Sequence, residues 1–226
     1  RYHSPLEITS HLLYPSMSGK SSGLTTSSPR TYQYSVAPRF LPRMKLHPSP
    51  PSGGTARQGS QRLHNKRIAG GEPIADIHIK GSRTLKGIHM PEDQVPLAID
   101  EFPALFIAAA CAEGQTVLTG AAELRVKESD RIQVMADGLK IMGIDCTPTE
   151  DGIIIEGKGK SGDWSPIFAG GEIESHHDHR IAMSFSMAGL RNSGPITIHG
   201  TETVATSFPT FTELANRAGL TIEVSQ

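Results

Sequence analysis

The sequence predicts a chain of class α/β (α+β), assembled from a unit of helix, strand, helix and one or two further strands, roughly 80 residues long, that occurs about twice. Two alternating segments, "GQTVLTG" at 114–120 and "GPITIHG" at 194–200, lie 80 residues apart and read as equivalent strands. Each follows an apolar stretch with helical spacing, and each precedes a polar loop, a second amphipathic helix and a further strand. That order, met twice, is the signature of an α/β sandwich built by duplication.

The first 62 residues stand apart. "YPSMSGKSSGLTTSSPRTYQYS" and "HPSPPSGGTARQGS" are rich in Ser and Pro and keep neither helical nor strand periodicity, so 1–62 is expected to be irregular or disordered. Residues 1–65 carry +7 while the remainder carries -8, although the whole chain nets only -1. A Ser- and Arg-rich, acid-poor stretch is compatible with a solvated tail, with an organelle transit segment and with out-of-frame translation; the first is favoured over a nucleic-acid-binding role. Residues 63–226 then carry the regular pattern.

There, "DEFPALFIAAACAEG" from Asp100 predicts the first helix, with Pro103 in its first turn. Ile132, Met135, Leu139 and Met142 mark one face of the second, and Gly143 stands where a C-terminal cap belongs. "GIIIEG" follows as a strand. "HRIAMSFSMAGLRNSG" from His179 predicts the third helix; Phe208, Phe211, Leu214 and Ala218 mark the fourth, closed by Gly219 and the strand "LTIEV". Hydrophobic content of 37% suits a folded core, and no run approaches the roughly 20 apolar residues of a membrane span. Cys111 and Cys146 sit among apolar residues, which fits reduced thiols and a cytoplasmic setting.

Unusual polar residues collect where the four helices begin: Asp100; Lys127, Glu128 and Arg131; His177, Asp178, His179 and Arg180; Thr206 and Ser207 before Pro209. "RVKESDR" at 125–131 alone holds three cations and two carboxylates. Helix starts offer unpaired N–H groups and a positive dipole end, so four of them around one cleft would make an anion site. Arg131 and Arg180 add planar forks suited to phosphate or carboxylate, with Arg131 one turn along from Lys127. Each feature alone has an ordinary explanation. Asp100 and Asp178 can cap helices, "KESD" can be capping plus solvated charge, and "HHDH" lacks a Cys or Glu at zinc-site spacing. Their co-occurrence weighs more than any one.

"ELRVKESDRI", "DHRIAMSF" and "ATSFPTF", in that order, resemble the C-terminal motifs of the enolpyruvyl transferase family, in its branch acting on shikimate 3-phosphate. "LHNKRIAGGEPIADI" and "MPEDQVPLAIDEFP" resemble the glyphosate-insensitive bacterial subclass of that branch. The resemblance implies a transferase of the shikimate pathway to chorismate and aromatic amino acids. It moves the enolpyruvyl group of phosphoenolpyruvate to the 5-hydroxyl of shikimate 3-phosphate, with no metal or cofactor. Carried over by position, it makes Asp100, Lys127 and Glu128 catalytic. It places Asp100, Glu123 and Lys127 against shikimate 3-phosphate, and Arg131 and Arg180 against phosphoenolpyruvate. Thr206 stands where many relatives have a Lys.

The resemblance implies repeated βαβαββ units of the enolpyruvyl transferase fold, with residues 63–226 a partial lobe, an incomplete single lobe. The family's second lobe, with further cations, has no counterpart in 1–62, so the expectation is a truncated chain prone to self-association, its activity alone left open by the sequence. The partners implied are the two small-molecule substrates, with neither nucleic acid nor membrane. Competing readings are a noncatalytic α/β phosphate-binding or interaction module, a transferase for UDP-sugars, an RNA-cyclising relative, and a metal-dependent hydrolase built on "HHDH". The UDP-sugar reading requires a cysteine in a mobile loop, and Cys111 lies in an apolar helical stretch.

Overall fold

The computed structural model describes residues 33–36, 60–70, 72–80 and 85–225, with side chains from 85 onward and at 64–68, 70 and 74–76. Apart from 33–36 and 60–62, the stretch expected to be irregular lies outside the described residues.

The described residues fall into two units. One is an antiparallel hairpin of β2 (Ser60–Ala69) and β3 (Glu72–Lys80), preceded in the chain by β1 (Gln33–Val36) of the other unit. A bulge interrupts the hairpin between His64 and Arg67, where Asn65 takes a left-handed backbone (φ 49) and its amide donates to Asp76 at 2.5 Å. Asn tolerates that conformation better than most residues, so the extra residue is absorbed there.

The second unit contains both repeats. In the first, residues 86–89 run parallel to β4 (Glu113–Leu118) through bridges Lys86 to Glu113 and His89 to Val117. Helix α1 (Phe102–Ala110) makes the crossover that a parallel pair requires. Helix α2 (Arg131–Ile141) leads to β5 (Cys146–Thr149) and β6 (Gly152–Lys158), and the sheet order is β4-β6-β5, antiparallel throughout. The second repeat begins with β7 (Gly171–Glu174), crosses through α3 (His179–Ala188) to a parallel β8 (Ile196–His199), and ends in α4 (Glu202–Ser207), α5 (Phe211–Arg217) and β9 (Ile222–Ser225).

Its sheet runs β7-β8-β1-β9. Strand β1 therefore takes the place that β6 holds in the first sheet, antiparallel to both neighbours. Residues 33–36 and 60–62, within the stretch read as irregular, are thus extended; at 33–36 a gap between β8 and β9 exposes ladder groups on both sides that a passing segment satisfies.

Helices α1, α2 and α3 touch one another, and their apolar faces make the core with the sheets. Ile132, Met135, Leu139 and Met142 are all buried, as their spacing predicts. Gly143 closes α2 with φ 82. The fourth predicted helix differs. The chain breaks into α4 and α5 around Pro209, so Phe211 and Ala215 face inward while Phe208 and Leu214 stay about 40% exposed. Proline removes an N–H and disfavours helix in the residue before it, which resets the helical phase.

Gly138 decides how closely α2 and α3 approach: a Cβ there would lie 2.3 Å from Cζ of Phe185. Gly138→Ala is therefore expected to lower stability by about 1–3 kcal/mol through overpacking, against a helix-propensity gain of about 1 kcal/mol. Urea denaturation checks this, and adding Phe185→Leu should recover most of the loss.

Candidate active site

The polar residues singled out in the sequence come together from three helix starts. Asp100 lies in a 3-10 turn (Ile99–Glu101) ahead of α1 and caps nothing; the N-cap position falls to Glu101, which makes no side-chain capping bond. Its carboxylate instead meets Arg131 at 3.0 Å and Lys127 at 3.6 Å, with Arg180 at 4.0 Å.

Before α2, a 3-10 turn (Ala122–Val126) and a loop carry "RVKESDR". Asp130 caps the helix by accepting from the Gln133 N–H at 3.0 Å. Lys127 is thus outside the helix, not a turn below Arg131 on one face. It pairs with Glu123 across the 3-10 turn and reaches Asp100. Arg125 points away from this group. It donates to the carbonyls of Glu150 and Thr149 and pairs with Asp130 at 2.6 Å, which pins the loop to the turn between β5 and β6.

Arg131 is the centre of the group. Only 1% exposed, it gives Nε–H to Asp178 at 2.8 Å, one terminal nitrogen to Asp100 at 3.0 Å, and the other to Glu128 at 2.5 Å. Asp178, fully buried, also caps α3 through the N–H groups of Arg180 and Ile181 and accepts from the Ser129 hydroxyl at 3.0 Å. Arg180 reaches back to α1, donating to the Asp100 carbonyl at 2.7 Å and to Glu101 at 3.1 Å. From the sequence, Asp178 reads as a cap; its pairing with Arg131 is visible only in three dimensions.

The fourth helix start does not join. Thr206 and Ser207 end α4 and are exposed, and Thr210 precedes α5 without a side-chain capping bond. The residues of "HHDH" diverge: His177 pairs with Glu202, His176 is exposed, and Asp178 turns inward to Arg131. His176 and His177 both have left-handed backbones, φ 52 and 61, uncommon for residues bearing a Cβ. Among the described residues no group of three or more His, Cys, Asp or Glu is arranged to hold a metal.

Burial opposes ionisation of Asp100, yet Arg180, Lys127 and Arg131 hold its carboxyl below the usual range. Burial opposes it more strongly at Asp178, where the hydrogen bond and charge of Arg131, with Ser129 and backbone N–H groups, prevail in the same direction. Contact with Glu123, ahead of the attraction of Asp100, pushes Lys127 up. Asp100, Asp178 and Lys127 thus keep their charges at neutral pH. Burial raises both thiols, so Cys111, at the C-terminal end of α1, and Cys146 stay protonated.

Residues 66–214 match the family model described as EPSP synthase (3-phosphoshikimate 1-carboxyvinyltransferase). The chain belongs to the EPSP synthase family. It is 63% identical over 159 residues to a 3-phosphoshikimate 1-carboxyvinyltransferase of Methylococcus capsulatus, covering 70% of this chain and 34% of the relative. A Nitrosococcus oceani protein of the same name is 60% identical over 167 residues, covering 74% and 36%. A solved EPSP synthase structure from Acinetobacter baumannii is 95% identical over the aligned part, with a TM-score of 0.73, covering 74% of this chain and 38% of that one. The chain therefore spans about a third of the length of the curated relatives it matches. No helix among the described residues is long and apolar enough to cross a membrane.

Two outcomes follow from the buried pair. Arg131→Met leaves the Asp178 charge without its counter-ion and is expected to cost about 3–5 kcal/mol, partly recovered when Asp178→Asn is added. A double-mutant cycle by urea denaturation measures it. Asp100 and Asp178 both titrate lower in the fold than in the unfolded chain, so their stabilisation is complete above about pH 4 and is lost as pH falls through the folded-state values. Thermal midpoints should drop on acidification below about pH 4, and Asp178→Asn should flatten that drop.

Proposed function

We propose that this chain carries part of an enolpyruvyl-transfer site. The reaction moves the carboxyvinyl group of phosphoenolpyruvate to the 5-hydroxyl of shikimate 3-phosphate. The observation behind it is the gathering of Asp100, Lys127, Glu128, Arg131 and Arg180 from three helix starts into one ionic cluster. The family's relatives, named for that activity, support the same reading.

In this reaction the 5-hydroxyl oxygen bonds to C2 of phosphoenolpyruvate while C3 gains a proton and the hydroxyl loses one. Phosphate then leaves C2 as C3 gives a proton back, restoring the double bond. Such chemistry needs proton carriers on both sides of the reacting carbon and cations that hold two anions in contact. Asp100 and Glu128 take the proton-transfer roles. Lys127, with Asp100 and Glu123, faces shikimate 3-phosphate, while Arg131 and Arg180 orient phosphoenolpyruvate.

The cluster sets three cations, Lys127, Arg131 and Arg180, against five carboxylates, Asp100, Glu101, Glu123, Glu128 and Asp178. Anionic substrates meet an excess of negative charge, so additional cations from outside these residues complete the site. We place the working enzyme in the cytoplasm, in keeping with the two free thiols. Exposed Phe208, Leu214 and Val224 support self-association of the partial lobe.

The test is to titrate the purified chain with shikimate 3-phosphate, then phosphoenolpyruvate, while following phosphate release. Release from the self-associated chain is expected to require both substrates and to fall roughly 10- to 100-fold in Lys127→Ala, through the loss of one charge-assisted contact. Binding with no release would favour a noncatalytic phosphate-binding module. The absence of both binding and release would refute the proposal for this chain.

A further inference from the structure

We infer that Asp178 is a positioning residue: its carboxylate fixes the plane of the Arg131 guanidinium, and thereby aims that guanidinium at Asp100 and Glu128. The inference deepens the reading under Proposed function, on which its catalytic meaning rests.

Capping α3 does not require what Asp178 provides. An N-cap needs one side-chain oxygen, which Ser, Thr or Asn supplies as well, and a carboxylate with no exposed surface is costly unless paired. Here one carboxylate takes five hydrogen bonds from two helix starts. Its Oδ2 accepts Nε–H of Arg131 at 2.8 Å and the Ser129 hydroxyl at 3.0 Å. Its Oδ1 accepts a terminal nitrogen of Arg131 at 3.4 Å, and the N–H groups of Arg180 at 2.9 Å and Ile181 at 3.4 Å.

The consequence is directional. A guanidinium is flat and its donors are fixed in one plane. With Nε and one terminal nitrogen held by Asp178, the remaining donors point to Asp100 at 3.0 Å and Glu128 at 2.5 Å. The same carboxylate holds the backbone of Arg180, whose side chain donates to the Asp100 carbonyl. Asp178 thus sets both arginines against the start of α1.

Asp100, faced by Lys127, Arg131 and Arg180, is the reporter. Its titration is followed by carboxyl carbon NMR in the full chain, the signal being assigned by its disappearance in Asp100→Asn. If Asp178 positions Arg131, Asp178→Asn loosens the Arg131 contact and Asp100 binds its proton about threefold more tightly or better. Asn keeps the cap, so a purely capping role leaves the Asp100 midpoint unmoved. A role as a neighbouring negative charge lowers it, because repulsion is removed. Either result would overturn the inference, as would a rise that persists when Arg131 is already Met.

Should Asp178→Asn fail to fold, Ser129→Ala removes one tether while keeping the charge and both caps. A smaller rise in the Asp100 midpoint is expected, and an unchanged midpoint overturns the inference. The titration uses no substrate. A chain that binds no phosphoenolpyruvate would count against the proposed reaction and leave this result intact.

Discussion

The ion pair between Arg131 and Asp178 is the constraint on which the rest of the site depends. The Arg131 side chain is 1% exposed and that of Asp178 0%, so neither charge is solvated by bulk water. A buried charge persists only when its partners satisfy it fully. Asp178 meets that condition through Arg131, Ser129 and two helix N–H groups, and Arg131 through three carboxylates. The pair also joins the first residue of α2 to the cap of α3, elements from different repeats. Disturbing it would alter two helix positions and the aim of the cluster together.

Duplication explains why such a pair can form. Each repeat delivers a crossover helix between parallel strand partners, and α1 and α3, the two crossover helices, pack on each other. Helix α2 packs beside them, at a distance set by Gly138 beneath the Phe185 ring. Three helices in mutual contact bring their starts close, and with them the side chains of Asp100, Arg131 and Arg180. Buried hydroxyls in α3 cause no conflict, because Ser184 and Ser186 donate to carbonyls four residues earlier.

Much of this is legible in the sequence because burial imposes periodicity. The face of α2 and strands β4, β6, β8 and β9 lie close to where spacing places them, since apolar residues on those elements have one direction to hide. The inward face of α5 departs from the predicted one because the break around Pro209 shifts the helical phase and leaves Phe208 outside the helix. Asp100, Lys127, Glu128, Arg131 and Arg180 stand out as candidates by their position at helix starts. The separate roles of Arg125 and Asp178 do not, for a physical reason: an ion pair 47 residues apart leaves no periodic trace. The strand at 33–36 is equally silent in the sequence, since its pairing answers an open ladder elsewhere in the chain.

The distribution of exposure within the cluster indicates which of its contacts exchange under the proposed reaction. Asp100, Glu123 and Glu128 have side chains about half exposed, whereas Arg131 and Asp178 are buried. Exposed ion pairs contribute little, commonly about 0–1 kcal/mol, while breaking a buried pair costs several. On the proposed reaction an arriving anion would compete for the outer contacts, displacing carboxylates from Lys127, Arg180 and the outer edge of Arg131. The inner pair stays. On this view Asp100 and Glu128 neutralise the cations when no ligand is present, and once released they would serve as the proton carriers of the proposed reaction. On the proposed reaction that exchange becomes more favourable when further positive charge offsets the two surplus carboxylates of the cluster.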